Sequence, residues 1–107
     1  MDMTVAETRY GRVRGEREGS VTVWRGIPYA KVVRRFQRAE QPPASAGICE
    51  ARAFGPMVPQ GPLPTMFAAI LQSIPETEGG LNLNVWSPAP DNRQRPVMVW
   101  IHGGAFA

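Results

Sequence analysis

At 107 residues, 43% hydrophobic and 20% charged, the chain has the composition of a globular protein and the length of one small domain or of part of a larger one. No apolar run approaches the roughly 18 residues that a membrane-spanning helix needs, so a membrane is not an expected partner. The net charge of +3 comes from arginines dispersed between Arg9 and Arg95, with Arg34, Arg35 and Arg38 as the one local cluster and no aromatic stacking motif beside it, which argues against nucleic acid.

The start, Met1-Asp2-Met3-Thr4, lacks the basic and then apolar pattern of a secretory leader, so a cytoplasmic location is expected. Cys49 is the sole cysteine, and no internal disulfide can form. Residues 5–14 and 20–25 are runs rich in Thr, Val and Trp separated by Gly15-Glu16-Arg17-Glu18-Gly19, which predicts a β-hairpin with the charged pentapeptide as its turn. Val21 and Val23 share a face of the second strand. Pro28, in Gly26-Ile27-Pro28-Tyr29-Ala30, ends that strand because it cannot donate a ladder hydrogen bond.

Residues 32–60 show little periodicity, and Pro42-Pro43, Gly47, Gly55-Pro56 and Pro59 predict irregular structure. Residues 63–74 differ: Met66, Phe67, Ile70, Leu71 and Ile74 fall at spacings of three and four, an amphipathic helix ended by Pro75 whose stripe faces a core. Leu81, Leu83 and Val85 then alternate with Asn82 and Asn84, a half-buried strand, and residues 87–92 form a loop.

After Pro96, residues 97–101 are all apolar, β-branched or aromatic, which predicts a strand buried on both faces. Such a strand needs parallel neighbours and covering helices, whereas a single helix is predicted before it. The chain therefore reads as the N-terminal part of a larger α/β domain, with residues 1–107 belonging to one domain and incomplete by themselves. Directly after the strand come His102-Gly103-Gly104-Ala105. Glycines there let a substrate approach the backbone, so that main-chain N–H groups can face a developing oxyanion. By themselves the same residues read first as an ordinary tight turn after a strand.

Five blocks occur in order: Gly11-Arg12-Val13-Arg14-Gly15, Gly26-Ile27-Pro28-Tyr29-Ala30, Phe54-Gly55-Pro56, Leu81-Asn82-Leu83-Asn84-Val85-Trp86-Ser87-Pro88, and Pro96-Val97-Met98-Val99-Trp100-Ile101-His102-Gly103-Gly104-Ala105-Phe106. Together they make the chain resemble the N-terminal fifth of the type-B carboxylesterases, which are α/β-hydrolases with the cholinesterases as distant relatives. The resemblance implies an N-terminal β-hairpin, irregular loops, one short helix and two strands of the central sheet. It also implies hydrolysis of small-molecule carboxylic esters through an acyl-enzyme, with no cofactor and no metal. Matched to the family's glycine loop, Gly104 and Ala105 supply oxyanion N–H donors and Gly103 supplies space.

His102 is the one histidine, but the family's chain order is serine, acid, histidine, so the resemblance makes it a loop-organising residue rather than the base. Arg35 and Glu78 match a structural salt bridge of the family, with two unrelated surface charges as the alternative. Two departures stand out. Val58 and the Thr77-Glu78-Gly79-Gly80 segment replace both half-cystines of the family's first disulfide, and residues 31–36 lack its Pro-Pro-x-Gly. No Gly-x-Ser-x-Gly elbow occurs, nor a following acid and histidine, so these 107 residues alone are expected to be inactive. A non-catalytic, cholinesterase-like interaction module and a non-functional gene remnant are the competing readings.

Overall fold

The computed structural model describes residues 2–34, 36–56 and 80–103. Among these residues, β1 (Val5–Thr8), β2 (Gly11–Arg14) and β5 (Ile48–Glu50) form one sheet in the order β1-β2-β5. A second sheet holds β3 (Glu16–Glu18), β4 (Val21–Pro28) and β6 (Asn82–Ser87) in the order β3-β4-β6. All neighbours are antiparallel except β2 and β5.

The N-terminal region is two hairpins, not the single one expected. Residues 5–14 fold back on themselves, pairing Thr8 with Gly11, because the Thr8 hydroxyl donates to the Gly11 carbonyl at 2.7 Å and accepts from the Tyr10 amide at 3.2 Å. The charged stretch expected to be a turn is instead β3, paired with β4 from Glu16↔Val23 to Glu18↔Val21. The turn is Gly19-Ser20, where Gly19 has φ 59° at the first of two central positions, as a type II′ connection requires. Strand β3 is set by its alternation: Glu16 and Glu18 both reach Arg25 on β4.

Gly15 joins the two sheets. Its amide donates to the Thr4 carbonyl at 2.7 Å, and a Cβ there would lie 2.3 Å from the Val23 carbonyl oxygen and 2.9 Å from Trp24 Cδ1. Close backbone approach thus excludes any side chain at the crossing. The core is small and centred on β4, where Thr22, Val23 and Trp24 are buried together with Ala51. Its polar groups are satisfied: the Thr22 hydroxyl donates to the Met3 carbonyl at 2.6 Å and accepts from Arg17 Nη1 at 3.0 Å, and Trp24 Nε1 donates to the Thr4 carbonyl at 3.1 Å.

Strand β4 ends at Pro28 as expected, and β6 matches the expected alternating strand. The faces of β6 are inverted, however: Leu83 and Val85 are exposed, and Asn82 and Asn84 are the more covered side chains. Residues 31–34 and 36–56 are irregular apart from β5 and an isolated bridge in which Lys31 and Glu40 exchange both backbone hydrogen bonds. The expected helix at 63–74 lies outside the described residues.

Residues 97–101 correct the expectation of a buried strand. They form no ladder, and Val97, Met98, Val99, Trp100 and Ile101 are between 76% and 93% exposed. A strand buried on both faces needs an edge on each side and a layer above and below. Among the described residues neither sheet presents those to this segment.

Candidate functional site

Residues 102–103 are reached from β6 through a braced loop. Ser87 Oγ donates to the Ala89 carbonyl at 3.2 Å, and Arg17 Nη1 on β3 donates to the Pro88 carbonyl at 2.6 Å. Arg95 then grips Asp91 through two parallel bonds of 2.6 and 2.8 Å, while the Arg93 amide donates to Asp91 Oδ1 at 3.2 Å. The Arg95 hydrogen bonds, helped by the Arg93 amide and charge, hold the Asp91 carboxyl at about 2, below the usual carboxylate range.

Strand β6 is itself locked to β4 and to the 51–56 loop by its two asparagines. Asn84 Oδ1 accepts from the Gly26 amide at 2.9 Å, at the bulge where the β4–β6 register shifts between Trp24 and Ile27. Asn82 Nδ2 donates to the Pro56 carbonyl at 2.8 Å. Gly26 has φ 68°, and a Cβ there would sit 2.8 Å from the Ala53 carbonyl oxygen, so the loop packs directly on the bulge. The same loop is pinned by Arg25, which pairs with Glu16 and Glu18, donates to the Arg52 carbonyl at 3.3 Å and stacks 5.2 Å over the Phe54 ring. Its guanidinium is raised above its ordinary range, chiefly by the Glu18 hydrogen bond.

At the turn, His102 is exposed and its Nδ1 lies 2.7 Å from the Gly103 carbonyl oxygen. A carbonyl can only accept, so Nδ1 carries the proton and Nε2 is the acceptor of the neutral ring. A Cβ built on Gly103 meets no described residue within 4 Å, which leaves that side of the backbone open among the described residues. Gly104, Ala105, Arg35 and Glu78 lie outside the described residues, so neither the two donors nor the expected ion pair is described. Ser20 occupies the β3–β4 turn and Ser87 the end of β6, where its hydroxyl donates to the Ala89 carbonyl. Among the described residues no group of three or more His, Cys, Asp or Glu side chains could hold a metal, and no helix is long and apolar enough to cross a membrane.

Asn82, Asn84, Arg25 and Gly15 position this region without having been read as functional. Two asparagines inside an apolar alternation were the available signal.

The carboxylesterase family profile matches residues 2–107. The chain belongs to the carboxylesterase family. It is 38% identical over 109 residues to the para-nitrobenzyl esterase of Bacillus subtilis (strain 168), a match covering 99% of the chain and 22% of that relative. It is 41% identical over 108 residues to the phenmedipham hydrolase of Pseudarthrobacter oxydans, covering 95% of the chain and 22% of that relative. Among solved structures, a carboxylesterase of Geobacillus stearothermophilus matches with a TM-score of 0.78 at 53% identity, over 96% of this chain and 20% of that one. A thermophilic para-nitrobenzyl esterase matches with a TM-score of 0.81 at 37% identity, over 97% of this chain and 22% of that one. The chain thus spans about a fifth of the length of the relatives it matches.

Proposed function

We infer that these residues are the N-terminal portion of an α/β-hydrolase acting as a serine carboxylesterase on small carboxylic esters, in which they contribute the oxyanion loop. In that reading the ester carbonyl is attacked by a serine supplied by further polypeptide, and the tetrahedral oxygen anion is held by the Gly104 and Ala105 amides. Gly103 leaves room for the substrate, and His102 orders the turn through its ring. The observation that carries the reading is the end-to-end family match, running through β4, β6 and the glycine turn in order. Each oxyanion donor in such a site is worth on the order of 10²–10³ in rate, so the loop is a major part of catalysis although it holds no nucleophile.

The 107 residues alone are inactive in this reading, since no Gly-x-Ser-x-Gly elbow is present to be served. Replacing the matching fifth of the Bacillus subtilis para-nitrobenzyl esterase by this chain tests the proposal. The chimera should hydrolyse p-nitrophenyl esters while the isolated chain does not. A folded chimera without esterase activity, or turnover by the pure isolated chain, counts against it.

A further inference from the structure

Asn82 joins two stretches of chain that are far apart in sequence. Its Nδ2 donates to the Pro56 carbonyl at 2.8 Å, and a Cβ built on Gly55 would lie 2.6 Å from its Cγ and 2.7 Å from both amide atoms. Gly55 is therefore the bare backbone on which the asparagine side chain rests. Both stretches dock on the same end of β4. On one side a Cβ at the Gly26 bulge would lie 2.9 Å from the Gly55 nitrogen. On the other, the Leu81 carbonyl accepts from the Tyr29 amide at 3.1 Å, and Asn82 pairs with Pro28 in the ladder.

Residues 57–79 lie between the two stretches in sequence. The Asn82–Pro56 bond falls two residues before Val58 and two residues after Gly80, where the half-cystines of the family's first disulfide are replaced. We propose that the Asn82 side chain is a non-covalent staple that takes the place of that disulfide and holds the ends of the 57–79 segment together. A link between distant residues stabilises by removing chain entropy from the open form, and the gain grows with the length of chain between them. The amide bonds to Pro56 without an oxidant, so the ends stay joined under reducing conditions, where a disulfide opens. The staple concerns how the segment is anchored and stands apart from the esterase reading.

The test is made in the para-nitrobenzyl esterase chimera, in a Cys49→Ser background, where the remainder of the hydrolase is present. Asn82→Ala should lower the melting temperature by about 2–4 °C. Asn82→Asp keeps the side-chain size but offers the Pro56 carbonyl no donor, so it should melt with the alanine variant or below it. In Gly55→Cys/Asn82→Cys the two Cβ positions stand within ~4 Å, the span of a disulfide. That pair should oxidise in air to a bond mapped between residues 55 and 82 by mass spectrometry of a non-reduced digest. The oxidised protein should melt at or above the parent and fall to the level of Asn82→Ala on addition of dithiothreitol, which leaves the parent unchanged. Asn82→Ala or Asn82→Asp melting with the parent overturns the proposal. So does a cysteine pair that stays reduced, or one whose oxidised form is no more stable than its reduced form. A folded but inactive chimera bears on the esterase reading alone, since melting and disulfide mapping need no turnover.

Discussion

Asn84 and Gly26 are joined across the β4–β6 ladder: the asparagine Oδ1 accepts the glycine amide at 2.9 Å, where the register shifts and the strand backbone alone leaves that amide unpaired. A β-bulge removes one residue from the ladder, and the buried N–H it frees must find another acceptor. Strand β6 therefore places a polar side chain against the bulge of β4.

Asn84→Ala should destabilise the fold by about 1–3 kcal/mol, because it strands the Gly26 amide beneath the 51–56 loop. Asn84→Asp keeps an acceptor and should recover part of the loss. Denaturant unfolding of the three proteins side by side is the measurement, and an Ala variant as stable as the parent would show that the bond does not support the bulge.

Backbone approach rather than torsion should dominate at Gly15. Gly15→Ala places its methyl 2.3 Å from the Val23 carbonyl oxygen, whereas Gly19→Ala meets nothing within 4 Å and suffers from φ 59° alone. The second change should cost about 1–2 kcal/mol, and the first several times more or prevent folding. Thermal melts ranking the two in the opposite order would refute this account of the sheet crossing.

The elements legible in the sequence were those whose signal is local. Pro28 ended β4, and the alternation around Asn82 and Asn84 marked β6. What stayed hidden depends on partners. Glu16, Arg17 and Glu18 resemble a solvated turn until Arg25 stands across from both glutamates. The asparagines of β6 resemble a solvent face until Gly26 and Pro56 meet them. The apolar run at 97–101 has strand composition, but burial is a property of what surrounds it, and no described residue pairs with it. In the candidate site, His102 and Gly103 are named by local sequence alone, whereas the bracing by Arg17 and Arg95 needs the folded loop.

The Asp91–Arg95 clasp should make the approach to the turn acid-sensitive. Asp91 is depressed from an ordinary value of 3.8 to about 2 by the Arg95 hydrogen bonds. With the folded value below the unfolded one, the contribution is fully present above pH about 4 and is lost as the pH falls from there towards about 2. Stability of Asp91→Asn should fall less steeply across that window than stability of the parent. Carboxyl chemical shifts provide the direct check, and an Asp91 midpoint near 3.8 would remove the effect.

Gly103 separates the needs of the fold from those of the reaction. A Cβ there meets no described residue within 4 Å, so Gly103→Ala should change the unfolding free energy of the chain by no more than about 0.5 kcal/mol. In the esterase chimera the same methyl would project into the space assigned to substrate. Displacing the reacting carbonyl from its donors by even ~1 Å can cost on the order of 10²-fold in rate. The expected outcome is a variant of parental stability whose kcat/KM for p-nitrophenyl esters drops by about 10²-fold. Steady-state kinetics and a thermal melt on the same preparation decide it. If activity and stability are both unchanged, Gly103 is an ordinary turn residue and the space beside it serves no substrate. If both fall together, the glycine is needed for the fold, and the open side of the turn is filled in the larger protein.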